Sequence, residues 1–525
     1  MLLNEDLALR FRSAIERAQA DGALPAFEIP AVPVERPKQA AYGDYATPIA
    51  LQLARLARQP PPRIAEVVAE HLEVPSYIGR VEVVEPGYIN LTLDPRWLAE
   101  QANLIRSQGA RFGNLDLGKG RRVQVEYVSA NPVGPLHVGS GRNAVLGDAV
   151  ANVLEAAGYD VQREYYVNDA GSRMYAFHAS LYARYAQALG AAEPVPEDGY
   201  PGQYLVEMGQ QIAIEEGDRY LRLPREDAIA EIGERGLALV LENIRADLAS
   251  MGVVYHRWFS ERSLYEDGLF EKVLATLREK GYVEEREGAI WFRAVALGGD
   301  KDEVIIRSNG QPGYFASDIA YHYDKFMVRN FDWVIDVWGA DHQGHVPRMK
   351  AMMRALGLDP ERLEFLIYQL VTLRRGGEIV RLSKRTGDII TLREVLDEIG
   401  SDAFRFFLLA RSADSQMDLD LDLAVRQSDE NPVFYVQYAH ARISSILRRA
   451  GDLPIDEGDV SLLRSEPEQN LLRALIRLPE VIQQAASDRA PHHLAYYAQE
   501  LAGVFHGFYR DCRVLSSDPA DSEIT

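Results

Sequence analysis

The chain is 525 residues long, 47% hydrophobic and 26% charged, the proportions of a folded soluble protein with room for about three domains. No apolar run reaches the roughly 18 residues of a membrane span, and the opening MLLNEDLALRFR reads as an amphipathic helix rather than a signal peptide, so a cytoplasmic location and no membrane partner are expected. Cys512 is the only cysteine, which excludes disulfides and Cys-based zinc sites, while a net charge of −21 makes any nucleic-acid partner dependent on a local basic surface.

Residues 1–112 read as a small α/β domain. A helix over 6–20 is followed by an alternating segment, 27–34, and by helices over 47–57 and 63–72 that flank Pro60-Pro61-Pro62. Strands over 81–84 and 88–93 meet at the turn Pro86-Gly87. No catalytic constellation is visible in this stretch.

The most informative stretch follows. Residues 123–128 (VQVEYV) predict a buried strand, which ends in a loop of turn formers, Ser129, Asn131, Pro132, Gly134 and Pro135. His137-Val138-Gly139-Ser140 then opens a helix of small residues running to Gly158, and a second strand over 161–167 completes a βαβ unit with a right-handed crossover. The helix N-terminus therefore meets the carboxyl end of a parallel strand, where free N–H groups and the helix dipole favour an anion. Gly-x-Gly-x-x-Gly is absent after the strand, so a dinucleotide fold has little support, and the absence of Gly-Lys-Ser/Thr excludes a P-loop. His137 is placed either to donate to phosphate oxygens or merely to cap the helix. Glu126, an acid on an apolar strand, requires a cation: a ligand, or a structural partner such as Arg163.

A mostly helical insertion over about 201–310, preceded by the acidic loop Glu193-Pro194-Val195-Pro196-Glu197-Asp198 and ending in short strands, separates this unit from three further clusters. In GYFASDIAYHYDK (313–325), Tyr314 and Asp318 stand four apart and share a helix face. WVIDVWGADHQGHVPRM (333–349) is a buried strand emptying into a polar loop, where Asp341, His342 and His345 could pass for metal ligands by type. VRLSKRTGDIITL (380–392) gathers Arg381, Lys384 and Arg385 on a glycine-containing loop. From 431 the pattern is helical: Asn431-Pro432 combines a cap with proline at the first position, and amphipathic segments follow over 469–486 and 492–511.

The run His137 to Ser140 resembles the first signature of class I aminoacyl-tRNA synthetases, His-Ile-Gly-His, with Ser140 where most relatives carry the second His. Ser129-Ala130-Asn131-Pro132 and GYDVQREYYVNDAG (158–171) resemble the arginyl-tRNA synthetases specifically, and the resemblance runs over nearly the whole chain. Ser383 and Lys384 keep the end of the second signature, Lys-Met-Ser-Lys, with Arg381 and Leu382 replacing its first two residues.

The resemblance implies an α/β class I fold. Its parts would be an N-terminal tRNA-contacting domain over 1–112, a Rossmann-like catalytic domain with a parallel sheet over 113–395, and connecting helices over 396–430. A helical anticodon-binding domain lacking its last helix would occupy 431–525. The implied activity is that of an arginine–tRNA ligase, which forms arginyl-adenylate from L-arginine and ATP and passes the acyl group to the 2′-hydroxyl of tRNA(Arg). By motif position, His137, Gly139, Ser140 and Lys384 are catalytic, and Pro135, His137, Gly139, Gly339, Asp341, Ser383 and Lys384 bind ATP. Glu126, Ser129, Asn131, Tyr314, Asp318 and His342 bind arginine, while Tyr435, Tyr438 and Arg442 touch tRNA. Mg²⁺ is expected with ATP, no protein-held metal is expected, and a monomer is expected. The span from His137 to Lys384 leaves no room for a full editing domain of the isoleucyl kind. Two other readings stay open: a weakened or non-catalytic tRNA-binding relative, which Ser140 permits, and a small-molecule nucleotidyltransferase.

Overall fold

The computed structural model describes residues 2–380, 390–451 and 458–515. They fall into two compact units: one takes its described residues from Met1–Asn114, Gln437–Val481 and Tyr497–Thr525, the other from Leu115–Val436 and Ile482–Tyr496. Among the described residues no helix is long and apolar enough to cross a membrane.

The chain begins with α1 (Leu3–Ala20), β1 (Tyr45–Thr47), α2 (Ile49–Ala57), α3 (Pro61–Glu70), β2 (Ile78–Val84), β3 (Tyr88–Leu93) and α4 (Pro95–Gln108). The strands pair antiparallel in the order β1-β3-β2. The helix expected from residue 47 starts at Ile49, because Tyr45, Ala46 and Thr47 are taken by pairing with β3. All three are buried, so no alternation marks them as a strand. The alternating segment 27–34 is irregular; Arg12 holds it by donating to the carbonyls of Ile29 and Pro30 at 3.2 and 3.1 Å. Pro61 and Pro62 occupy the first turn of α3, where no backbone N–H is required.

The second unit contains β4 (Arg122–Glu126), α5 (Val138–Ala156), β5 (Asp160–Val167), α6 (Ser172–Ala188), α7 (Gln203–Glu216), α8 (Arg225–Ser250) and β6 (Arg257–Ser260). Next come α9 (Ser263–Glu266), α10 (Leu269–Glu279) and a small antiparallel sheet of β7 (Val283–Arg286), β8 (Ala289–Phe292) and β9 (Glu303–Ile306). Then follow α11 (Tyr314–Tyr323), β10 (Trp333–Gly339), α12 (Val346–Leu356), β11 (Leu363–Tyr368), β12 (Val371–Arg375), β13 (Glu378–Ile379), α13 (Leu392–Ile399), α14 (Ser401–Leu409), β14 (Met417–Asp420) and α15 (Leu421–Ala424).

Its main sheet has the order β11-β10-β4-β5-β6, with every neighbouring pair parallel. The chain walks outward from β4 through β5 to β6, then returns to lay β10 and β11 on the other side of β4. The order therefore reverses between β4 and β10, and an open parallel sheet leaves a crevice at the carboxyl ends of such a pair. β6 lies within the stretch 201–310 and is a strand of this sheet.

The small residues of α5 are explained by its neighbours. A Cβ on Gly147 would stand 2.2 Å from the Tyr127 ring, and one on Gly141 would stand 2.6 Å from Phe404 and 2.8 Å from Leu392. Arg142 on the same helix is fully buried and donates to the carbonyls of Gln369, Ser412 and Ser415 at 2.5, 3.0 and 3.0 Å.

The C-terminal helices are α16 (Pro432–Ala450), α17 (Glu466–Leu475), α18 (Leu478–Asp488) and α19 (His492–Asp511). Asn431 caps α16, its Oδ1 accepting from the Val433 N–H at 3.0 Å. The single helix expected over 469–486 is broken at 476–477. Pro479 has no N–H for the Leu475 carbonyl, and the Tyr497 hydroxyl donates instead to the carbonyls of Ala474 and Leu475 at 3.1 and 3.4 Å. Within the first unit, Arg36 forks onto Glu480 at 2.7 and 3.0 Å, and Arg473 donates to Asp44 at 2.8 Å. Most of the segment expected as the last domain thus shares a unit with the first, while 431–436 and 482–496 fall in the other.

Candidate active site

β4 stops at Glu126, two residues before the expected end of the strand, because the backbone turns left-handed at two successive non-glycine residues. Val128 has φ 68° and Ser129 φ 42°. Such backbone costs on the order of 1–3 kcal/mol per residue and persists only where its surroundings enforce it. Here Asn143 accepts from the Val128 N–H at 2.6 Å and donates to the Val337 carbonyl at 2.9 Å, which ties the exit of β4 to β10. Ser129 Oγ donates to Glu126 Oε1 at 2.9 Å and accepts from the Tyr166 N–H at 3.1 Å.

His137 is the N-cap of α5: its Nδ1 accepts from the Ser140 N–H at 3.3 Å. Capping and ligand binding are therefore compatible, since this bond leaves the ring proton on Nε2, free to donate. Burial holds the ring below the usual histidine range, so it is a neutral donor at neutral pH. Gly139 makes room for the ring: a Cβ there would lie 2.9 Å from its Cε1. The first helical bond runs from the Gly141 N–H to the His137 carbonyl at 3.1 Å, so the N–H groups of Val138 and Gly139 have no acceptor within the helix. Ser140 is buried.

The second signature, Ser383 and Lys384 with Arg381 and Arg385, lies outside the described residues. Its downstream flank is placed. Thr391 bridges His137 in the backbone, and the Leu392 N–H donates to the Leu136 carbonyl at 2.7 Å. The chain leaving that segment therefore arrives beside the first signature.

A cleft of about 2320 Å³ opens over the carboxyl ends of β4 and β10. Every described residue assigned from the sequence to ATP or arginine lines it, including Pro135, Gly139 and Ser140 by the start of α5, and Gly339, Asp341 and His342 beyond β10. A Cβ on Gly339 would meet Asp341 Oδ1 at 2.5 Å. His342 stands 3.4 Å from Asp341 and packs with Trp338 and His345. Among the described residues no three His, Cys, Asp or Glu side chains are arranged to hold a metal ion.

The other part of the cleft is acidic. Tyr314 and Asp318 lie one turn apart on α11, Tyr314 exposed with the Arg307 guanidinium 5.5 Å from its ring centre, Asp318 half-buried. Burial raises the Asp318 carboxyl to about 6; His322 opposes this and Glu126 adds to it. Glu126 has a structural cation, but it is not Arg163, which serves Glu155 and Asn152 at 2.5 and 2.7 Å. The partner is Lys325, whose Nζ donates to Glu126 at 2.6 Å and to Asp336 at 2.9 Å.

Two functional candidates escaped the sequence reading. Glu261 follows β6, lines the cleft, accepts from Ser317 Oγ, and is raised by burial to about 7. Its only signal was an acid two residues after the apolar Trp258-Phe259, in a stretch assigned to the insertion. Lys325 closed the motif 313–325 without a role.

In the first unit, Arg442 donates to the Tyr438 hydroxyl at 3.1 Å, lies 2.9 Å from His506 Nδ1, and stacks over Tyr438 and Tyr509 at 4.3 and 4.9 Å. Tyr435 lies earlier on α16.

Three family models match the chain: the arginyl tRNA synthetase N terminal domain over 5–93, the tRNA synthetases class I (R) catalytic domain over 102–197 and 212–419, and the DALR anticodon binding domain over 436–523. An arginine–tRNA ligase of Dehalococcoides mccartyi (strain CBDB1) is 51% identical over 507 residues, covering 96% of this chain and 91% of that protein. One from Carboxydothermus hydrogenoformans is 49% identical over 499 residues, covering 94% and 89%. The Thermus thermophilus arginyl-tRNA synthetase structure superposes with a TM-score of 0.73 at 24% identity over 100% of this chain and 95% of its own, a likeness of fold.

Proposed function

The chain belongs to the arginyl-tRNA synthetase family of class I and is an arginine–tRNA ligase, and from that premise we propose the parts its residues take. One carboxylate oxygen of arginine forms a bond to the α-phosphorus of ATP as the bond to pyrophosphate breaks. The 2′-hydroxyl of the tRNA's terminal adenosine then attacks the acyl carbon, and AMP leaves. Negative charge gathers on the phosphate oxygens in the first step, and donors already in place stabilise it without reorganising.

His137 Nε2–H and the N–H group of Gly139 receive the α-phosphate region, with Ser140 behind them. Lys384, by its motif position, follows the leaving pyrophosphate with Ser383; the arrival of Thr391 beside His137 supports this. Pro135, Gly339 and Asp341 flank the adenosine. The guanidinium forks onto Asp318 and Glu126, with Glu261 as a third acid. Tyr314 stands at the opening, and Ser129, Asn131 and His342 are polar walls. Mg²⁺ enters as part of the ATP substrate. Tyr435, Tyr438 and Arg442 contact tRNA(Arg), and the enzyme works as a cytoplasmic monomer.

The observation carrying this reading is the meeting, in one cleft, of an anion-receiving helix start with three half-buried acids. A phosphate-bearing partner suits the first and a guanidinium the second. ATP–pyrophosphate exchange with each amino acid, with and without tRNA(Arg), tests it. Exchange is expected with arginine alone, and only when tRNA is present. Exchange driven by another amino acid would remove the pocket assignment, and robust exchange without tRNA would remove the tRNA requirement. The non-catalytic and nucleotidyltransferase readings are not favoured; the first would give no exchange at all.

A further inference from the structure

Lys325 takes no part in the chemistry, yet it is fully buried among the acids of the pocket. After α11 the helix widens into a π-turn over Asp324–Val328, and Lys325 sits within it. Such turns recur at functional sites. Its ammonium bridges Glu126 Oε2 at 2.6 Å and Asp336 Oδ1 at 2.9 Å, and lies 4.2 Å from the centre of the Tyr321 ring.

Glu126 and Asp336 are directly opposed in the register of β4 and β10. Two carboxylates so placed, with no cation between them, would retain a proton. The second oxygen of Asp336 faces His322 Nε2 at 2.9 Å, and His322 Nδ1 faces the Asp318 carbonyl at 2.8 Å. One hydrogen-bonded chain thus runs from Ser129 through Glu126, Lys325, Asp336 and His322 to the backbone of Asp318. It joins β4, β10 and α11, and both acids assigned to the guanidinium hang from it.

We infer that Lys325 is a positioning residue of the arginine pocket: it holds the Glu126 and Asp336 side chains in place and supplies the positive charge that favours a carboxylate at Glu126 facing the guanidinium. The inference rests on the assignment of Glu126 and Asp318 to arginine. Burial pushes the Glu126 carboxyl upward, and Lys325 is the chief force opposing it. Burial also lowers the Lys325 ammonium, but Asp336 and Glu126 outweigh that and hold it above the usual lysine range. The other groups acting on these acids are His322, Asp318 and Tyr321 from α11, Tyr166 from β5, Tyr255, and Arg348 near Asp318. Glu164 is occupied by Arg329, Tyr321 and Gln124.

The test is arginine KM and kcat in aminoacylation from about pH 6 to about pH 9 for wild type, K325M, K325M/D336N and D318N. For K325M, the KM ratio to wild type should be about tenfold or more near neutral pH and fall towards one as pH rises, with kcat changing far less. K325M/D336N removes the cation and one acid but leaves Glu126 buried, so its KM ratio should also fall as pH rises, reaching wild type at a lower pH than K325M. A K325M ratio that is constant with pH overturns the inference. Should K325M fail to fold, the double variant decides: a KM ratio that falls as pH rises supports the role, and a KM unchanged from wild type or raised equally at every pH overturns it. D318N separates the premise. An unchanged KM in D318N overturns the pocket assignment itself, whereas a raised KM with a pH-independent K325M ratio overturns only the role of Lys325.

Discussion

At the scale of single residues, the site divides into neutral donors at one end and acids of raised pKa at the other. Asp318 at about 6 and Glu261 at about 7 both lie above ordinary carboxylates, with burial the first cause. Each is neutral below its pKa and anionic above it, and only the anion pairs with a guanidinium. Arginine KM should therefore rise as pH falls from above 7 through 6, and kcat/KM measured across that interval checks it. Asp318→Asn should raise arginine KM by an amount equivalent to about 2–5 kcal/mol, the usual loss when one partner of a charged pair is removed. At the other end, His137 gives a neutral hydrogen bond to the charge growing on phosphate. Losing one such donor costs about 10²–10³ in rate, so His137→Ala should fall that far in single-turnover adenylate formation. Ser140 offers its N–H to the His137 cap through the backbone, which an alanine preserves. Ser140→Ala should cost much less than His137→Ala, and equal losses would show that the hydroxyl itself meets the substrate.

The elements are held in working order by a few polar clamps. Asn143 joins the strained Val128 turn to the exit of β10. Asn143→Ala would leave the Val128 N–H and the Val337 carbonyl without it, at about 1–3 kcal/mol for each buried group left unsatisfied. The denaturant midpoint should drop accordingly. Adenylate formation should drop further than stability alone explains, because the turn carrying Ser129 would relax; a rate loss no larger than the unfolded fraction would contradict this. Element identity was largely legible: the βαβ unit, the Asn431 cap and the α11 face follow from period and capping. Ends and breaks were less so. Nothing in the alternation of 123–128 says that Asn143 will draw Val128 out of the strand, and nothing near Pro479 says that the Leu475 carbonyl it leaves will be taken up by Tyr497 from α19.

Across the whole molecule, segments far apart in sequence share one unit, and the Arg36–Glu480 pair is a measurable join within it. Its side chains are 20% and 16% exposed, so Glu480→Ala should cost less than a fully buried pair, about 2–3 kcal/mol. Hydrogen exchange should then quicken in 3–108 as well as around α18, and a change confined to α18 would mean that the two segments do not unfold together. The net charge of −21 makes the tRNA contact depend on few cations, so the tRNA KM should climb steeply with salt. A salt-insensitive tRNA KM would remove the electrostatic account.

Whatever depends on neighbours along the chain is legible in the order of residues. The strand–loop–helix of the first signature, His137 at the helix start, and Tyr314 with Asp318 on one face follow from periodicity and spacing within a turn or two. Packing, by contrast, sets Glu126 against Lys325, 199 residues away, and not against Arg163. It alone brought Glu261 into the cleft by making β6 a strand of the main sheet, and set β10 beside β4 so that a crevice opens there. Ion pairing and strand order arise when packing brings distant positions together, and a separation of that length leaves no periodic trace in the sequence.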